Sequence, residues 1–239
     1  MEFSHLLILQ FVAHLIADYT LQNDKKAIDK NEKGFKSSFL KWHILIVFLS
    51  SWLLSFQLNF VFASLLIAFT HWMIDGLKPK INKSKSLGRY AFFIDQFLHL
   101  LILVTVTFLF SNKFEINSWL HVELNIKYLL IFLAFLITTK PSNILIREIF
   151  KIYEIKVDVK KEDELLKAGR LIGILERWLI IVFILSGEFK AVGFLIAAKS
   201  ILRYSPKNED GFNKTEYVLI GTMLSFGIAI VIGVLVNNI

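Results

Sequence analysis

An all-α fold, a polytopic helical membrane protein, is predicted by three observations. Hydrophobic residues make up 55% of the 239 positions, and the mean hydropathy of +0.59 lies above a soluble domain's usual balance. Eight apolar stretches recur, at about 3–22, 39–56, 58–77, 90–110, 127–139, 171–187, 190–204 and 216–236, and several reach the ~20 residues a helix needs to cross a hydrocarbon core. Lys and Arg fall in alternate loops between them, as topology requires. About eight transmembrane helices are expected.

The first stretch has no basic segment before it and carries His14 and Asp18, so it is expected to stay as a helix and not to be cleaved as a signal peptide. The second places His43 in its second turn, the third ends on His71 and Asp75, and the fourth opens on Asp95 and His99. The fifth and seventh are short. Between the fifth and sixth lies IREIFKIYEIKVDVKKEDELLKAGR (146–170), whose apolar positions and interleaved charges suit a helix lying on the inner membrane surface. Small residues in GILERWLIIVFILSG and LIGTMLSFGIAIVIG permit close helix approach in the last spans. One integral domain is expected in two halves, residues 1–112 with a polar cluster among the first four helices and residues 113–239 with the amphipathic segment near 143–170.

Of the 27 basic residues, 23 fall in the loops 23–41, 78–89, 140–170 and 199–214, three fall in the opposite loops, and Arg177 lies inside a span. By the positive-inside rule the 23 are cytoplasmic and both termini face outward. The net charge of +7 thus reports orientation, with no nucleic acid implied. The chain has no cysteine, which excludes disulfides, thiolate nucleophiles and soft thiolate metal sites.

The chemistry is concentrated in seven side chains inside the spans: His14, Asp18, His43, His71, Asp75, Asp95 and His99. Six form i,i+4 pairs, His14/Asp18, His71/Asp75 and Asp95/His99, and residues four apart share one helix face. The predicted topology puts all seven at one depth, in the cytoplasmic half of the membrane. A single histidine in an apolar helix is ordinarily a hydrogen-bonded core residue. Three aspartates, each costing about 2.5–3.5 kcal/mol near a bilayer centre, need a partner, and a shared divalent cation is the expected one. Seven ligands suit one or two ions, zinc first, with manganese or iron compatible on nitrogen and oxygen donors. Asp18, Asp75 and Asp95 are also the candidates for a catalytic base. Gln22, Lys78 and Gln96 are expected to support the ligands. His5 and His121 have no paired carboxylate and are read as interfacial.

The elements HLIADYTLQ (14–22), His43, THWMIDGLK (70–78) and DQFLH (95–99), with LIGILERWL (171–179), GFLIAAKSILRY (193–204) and EYVLIGTMLS (216–225), resemble the bacterial membrane family known as domain of unknown function 3307. The resemblance implies a multi-pass protein of the bacterial cytoplasmic (inner) membrane and carries no activity with it. The first half is also similar, more loosely, to membrane-bound metal-dependent hydrolases with intramembrane His and Asp ligands.

A second polar set lies at the same expected depth: Glu176 and Arg177 in the sixth stretch, Lys199 and Arg203 on the seventh, and Glu216 opening the eighth. Arg177, Lys199 and Arg203 are expected to bind an anionic substrate group; the alternative is internal pairing with Glu176 and Glu216. The leading functional expectation is a membrane-embedded, metal-dependent hydrolase of a phospholipid, an isoprenoid phosphate or a similar anionic amphiphile at the cytoplasmic leaflet. A cation- or proton-coupled transporter, and a sensor or structural membrane partner held by a metal staple, are the other classes. No Gly-rich phosphate loop, nucleophile elbow or haem signature points elsewhere.

Overall fold

The computed structural model describes residues 2–116, 118–119, 125–155, 163–202 and 211–239. The described residues are helical: α1 (Phe3–Leu15), α2 (Asp24–Lys33), α3 (Ser38–Ser55), α4 (Val61–Asn82), α5 (Ala91–Lys113), α6 (Ile126–Ile137), α7 (Lys140–Ile152), α8 (Asp163–Leu185), α9 (Phe189–Leu202) and α10 (Gly211–Asn237). Four segments among them are long and apolar enough to cross a membrane: Ser38–Ser55, Leu58–Asn82, Gly88–Lys113 and Glu216–Asn237. Two bent pairs raise the number to six if each counts as one span, Phe3–Thr20 with Asp24–Lys36 and Ile126–Ile137 with Lys140–Ile152. The remaining two expected spans correspond to α8, whose apolar run is interrupted by Glu176 and Arg177, and to α9, only 14 residues long.

The chain divides into two compact units, Met1–Leu133 and Ala134–Ile239. In the first, α1, α3, α4 and α5 close a four-helix ring, each packing on two others. Their antiparallel order follows from which residues meet. Gln10 of α1 bonds Ser51 of α3 while Asp18, two turns on, faces His43, two turns back. Phe60 stacks edge-on against Phe110 at one end, and His71 faces His99 toward the other. Large apolar side chains such as Leu53, Phe62, Phe69, Phe97 and Phe108 point outward, whereas His43, Asp75, Asp95 and Thr107 are buried. That distribution inverts a soluble bundle's and suits hydrocarbon outside.

After α1 the helix widens into a π turn at Ile16–Thr20, and the chain then bends by 94° into α2. Asn23 starts α2 by accepting a bond from the Lys26 N–H at 2.9 Å, the usual N-cap device. α2 packs on α4 and is far more polar than the four helices of the ring, so it lies across their end instead of crossing with them. Asp29 fixes its far end, accepting from Ser37 Oγ and Lys33 Nζ, each at 2.5 Å. The bond from Lys33, followed by that from Ser37, holds this partly buried carboxyl below the usual carboxylate range. The return into α3 runs through Gly34 at φ +54°, where an added Cβ would stand 2.4 Å from the Gly76 carbonyl oxygen. Glycine is required there by conformation and by space.

In the second unit α8 packs on α10 around Ile180, Ile184, Val192, Phe226 and Ala229. The small residues read as packing signals act as such at Gly233, whose Cβ would lie 2.9 Å from Ile184 Cδ1. α6 and α7 meet at a 47° bend through Thr138 and Thr139, which leaves helix-end carbonyls needing donors. Arg177, 1% exposed, supplies them: Nε to Thr138 O at 2.7 Å and Nη2 to Thr139 O at 3.3 Å. The amphipathic segment expected near 143–170 is helical as α7 and the start of α8, and residues 156–162 lie outside the described residues.

Candidate metal centre

The i,i+4 spacing does locally what it promises, and the four-helix ring does the rest. α1 with its π turn brings His14 and Asp18, α3 brings His43, α4 brings His71 and Asp75, and α5 brings Asp95 and His99. All seven meet in one layer, and none of the side chains is more than 9% exposed. At its centre four donor atoms from three elements converge. His43 Nε2 lies 3.1 Å from His71 Nε2 and 3.4 Å from both Asp18 Oδ1 and Asp75 Oδ2. His71 Nε2 lies 3.4 Å from Asp18 Oδ1 and 3.3 Å from Asp75 Oδ2.

Those separations have a direct coordination meaning. Zinc bound at roughly 2.0–2.1 Å by nitrogen and oxygen holds tetrahedral donors about 3.3–3.4 Å apart, and the two histidine nitrogens lie 3.1 Å from each other and 3.3–3.4 Å from each carboxylate oxygen. Three overlapping groups have donor atoms mutually within 4.8 Å: His14, Asp18 and His71; His43, His71 and Asp75; and Asp75, Asp95 and His99. His71 belongs to the first two and Asp75 to the last two. Several buried donors in the layer make no hydrogen bond, among them His14 Nε2, both ring nitrogens of His99, and Oδ1 of Asp18, Asp75 and Asp95. Such atoms ordinarily have partners when buried, and missing ions are one reason they do not.

Two ammonium groups reach the carboxylates. Lys30 of α2, 3% exposed, donates to Asp75 Oδ2 at 2.7 Å, and Lys78 of α4 donates to Asp95 Oδ2 at 2.7 Å. Gln96 donates to the same Asp95 oxygen at 3.0 Å and accepts from the Tyr19 hydroxyl at 2.8 Å. Lys78 and Gln96 thus both contact Asp95, and Gln22 is buried in the same unit.

Beside the histidines is a cavity of about 20 Å³, lined by His14, His71, His99, Gln10, Ser51 and Thr70 among others, which is room for one water molecule. Beyond it Gln10 and Ser51 pair twice, the amide donating to Ser51 O at 3.0 Å and the Ser51 hydroxyl donating to Gln10 Oε1 at 2.6 Å. Ser64 Oγ is 3.1 Å from Ser51 Oγ. The polar seam then ends in buried Leu6, Phe60 and Phe110.

Lys30, Tyr19, Gln10, Ser51 and Ser64 escape the sequence reading. Gln10 had a signal, since Gln10, His14 and Asp18 form one i,i+4 ladder, as do His43, Val47, Ser51 and Ser55. Lys30 had none, being one of six basic residues in a polar loop stretch.

The second polar set is engaged within its own unit. Besides the two carbonyls, Arg177 donates from Nη1 to Ser225 Oγ at 2.8 Å and from Nη2 to Asn143 Oδ1 at 2.7 Å. Lys199 pairs with Glu176 and sits 5.0 Å from the Phe226 ring centroid. Glu216 is exposed near the start of the apolar part of α10. Arg203 and His121 lie outside the described residues.

The model of the family described as "Protein of unknown function (DUF3307)" matches residues 6–127, just over half of the chain and all of the four-helix ring but the first three residues of α1. No curated protein and no solved structure matches it.

Proposed function

This chain belongs to the DUF3307 family, and we propose that its N-terminal unit is an intramembrane metal centre that hydrolyses a phosphorylated lipid or similar anionic amphiphile. The observation that carries the reading is the set of Asp18, His43, His71 and Asp75, in which each carboxylate oxygen lies 3.3–3.4 Å from both histidine Nε2 atoms, separations of the size found between donors on one small cation. Asp75, Asp95 and His99 would hold a second ion with three protein ligands, the number usual where a metal activates a water. Asp75, common to two of the donor groups, would serve both ions, and a carboxylate oxygen of Asp18 or Asp95 not used as a ligand would accept the water's proton. Two ions sharing one carboxylate can activate a water and neutralise a leaving oxygen, the arrangement suited to phosphoester cleavage.

The orientation belongs to the same proposal. α2 and the 83–90 turn lie at the ligand end of the ring and carry the basic loops, so the positive-inside rule puts the centre near the cytoplasmic leaflet and the N-terminus outside.

One observation favours a proton- or cation-coupled transporter instead. Three carboxylates face two ammonium groups, so a proton on one imidazole neutralises the layer without any metal, and the 3.1 Å His43–His71 contact is then an N–H···N bond. Against this, the far end of the ring is closed by Leu6, Phe60 and Phe110, whereas transport needs access from both sides. The two readings separate on metal content and product. Protein purified without chelator is expected to carry one or two divalent ions per chain and to release phosphate from phosphatidate vesicles. No ion after purification or after zinc or manganese loading, together with proton flux in liposomes, overturns the hydrolase reading.

A further inference from the structure

The buried layer has a charge that metal binding reverses. Asp18, Asp75 and Asp95 meet Lys30 and Lys78, and with neutral imidazoles this leaves one net negative charge. One divalent ion makes the layer singly positive, and a second makes it triply positive. Excess positive charge in a water-poor core is costly unless an anion joins it. The two ammonium groups are already positioned for that anion. Each bonds a carboxylate oxygen of the candidate ligand set at 2.7 Å, and an ammonium has three N–H donors, so more remain for another acceptor.

We infer that Lys30 and Lys78 form the anion-binding half of the centre and take the oxygens of a phosphomonoester that binds together with the metal. The proposal rests on the metal-centre reading and places the substrate's charged group in the N-terminal unit. Two of the cations expected from the sequence to bind an anion are already engaged in the other unit, Arg177 by four acceptors and Lys199 by Glu176. A phosphomonoester dianion suits the doubly loaded layer, lowering its charge to one. Its route is from the α2 side, because Leu6, Phe60 and Phe110 close the other end and the cavity beside the histidines, about 20 Å³, holds only water. Lys30 rides on α2, which lies across that end, so displacement of α2 admits the anion and carries its own cation to it.

The test is thermodynamic linkage between anion and metal. Full-length protein in neutral-lipid nanodiscs is titrated with Mn2+, followed by its EPR signal, in chloride, in inorganic phosphate, and in nanodiscs containing phosphatidate. Phosphate or phosphatidate should raise the apparent Mn2+ affinity by roughly 5- to 150-fold, the usual span of site-to-site coupling. Coupling by inorganic phosphate assigns a soluble phosphoryl group, and coupling by phosphatidate alone assigns a lipid headgroup. Lys30→Met and Lys78→Met should abolish the coupling, while Lys30→Arg and Lys78→Arg should keep it. Metal binding that ignores both anions in the native chain, or coupling that survives both Met variants, overturns the anion site and leaves the metal centre standing. Absence of Mn2+ and Zn2+ binding in every condition removes the metal centre itself. If the Met variants do not fold, the native chain and the Arg variants still decide.

Discussion

His71→Ala strikes the heart of the centre, because His71, like Asp75, is common to two of the three donor groups. Its Nε2 stands 3.1–3.4 Å from the donor atoms of His43, Asp18 and Asp75, so removing it leaves three ligands of a four-ligand set. A four-ligand protein site for zinc is worth roughly 10–16 kcal/mol at neutral pH, or about 2.5–4 kcal/mol per ligand if shared evenly. The expected loss is therefore about two to three orders of magnitude in zinc affinity. Competition against a chromophoric chelator, with elemental analysis of the same samples, reads that range directly. His5→Ala is the control: this half-buried histidine belongs to none of the donor groups and should leave affinity unchanged. Native zinc affinity in His71→Ala, with His5→Ala behaving identically, would falsify the assignment of the four donors.

His99→Ala and Asp95→Asn touch only the third donor group, so elemental analysis should find bound metal falling from two ions per chain to one, with the tighter ion kept. Gly76→Ala sets a Cβ 2.1 Å from the Phe35 ring and should cost about 1–3 kcal/mol by overpacking, seen as a lower melting temperature in detergent. Arg177→Met should destabilise the second unit by several kcal/mol, since each bond from a charged donor contributes about 1.5–3 kcal/mol, yet leave metal content unchanged; metal lost in a variant that still melts cooperatively would contradict this. In the cysteine-free chain, Lys83→Cys should be labelled by a membrane-impermeant reagent only from the cytoplasmic side, and labelling in sealed cells would reverse the orientation.

The polar layer was legible because its information is mostly local: four residues apart on a helix means one face, whatever surrounds it. Six side chains named from spacing, and His43 named from its depth, come together, and the reason is that polar groups in a lipid-facing bundle have nowhere else to go. What spacing could not show is the cross-helix pairing that decides charge. Lys30 looks like any loop lysine until the 94° bend lays α2 over the ring and drives its ammonium onto Asp75. The role of Arg177 was hidden for the same reason, since its partners are carbonyls freed by a bend between α6 and α7 that composition does not mark. The number of spans was the least legible quantity. Apolar length counts α8 and α9 as crossings, but the charges inside one and the 14-residue length of the other leave four to six candidates among the described residues.

A bundle that only had to fold would gain nothing from this layer. Replacing buried ionic clusters with apolar side chains of similar volume is often neutral or stabilising by about 1–4 kcal/mol, and leucines at the seven positions would suit hydrocarbon surroundings better. The layer is also built asymmetrically. Charged groups, α2 and the basic loops lie at one end, a single-water cavity and the Gln10–Ser51–Ser64 cluster come next, and phenylalanine and leucine close the other end. A metal staple for stability needs its four donors but no ammonium groups beside them, and a conduit needs a polar path through the end that Leu6, Phe60 and Phe110 close. A centre that admits an anionic group from one leaflet, holds it with cations and presents one water to it needs the arrangement found here, and that is why the hydrolase reading is preferred over the other two.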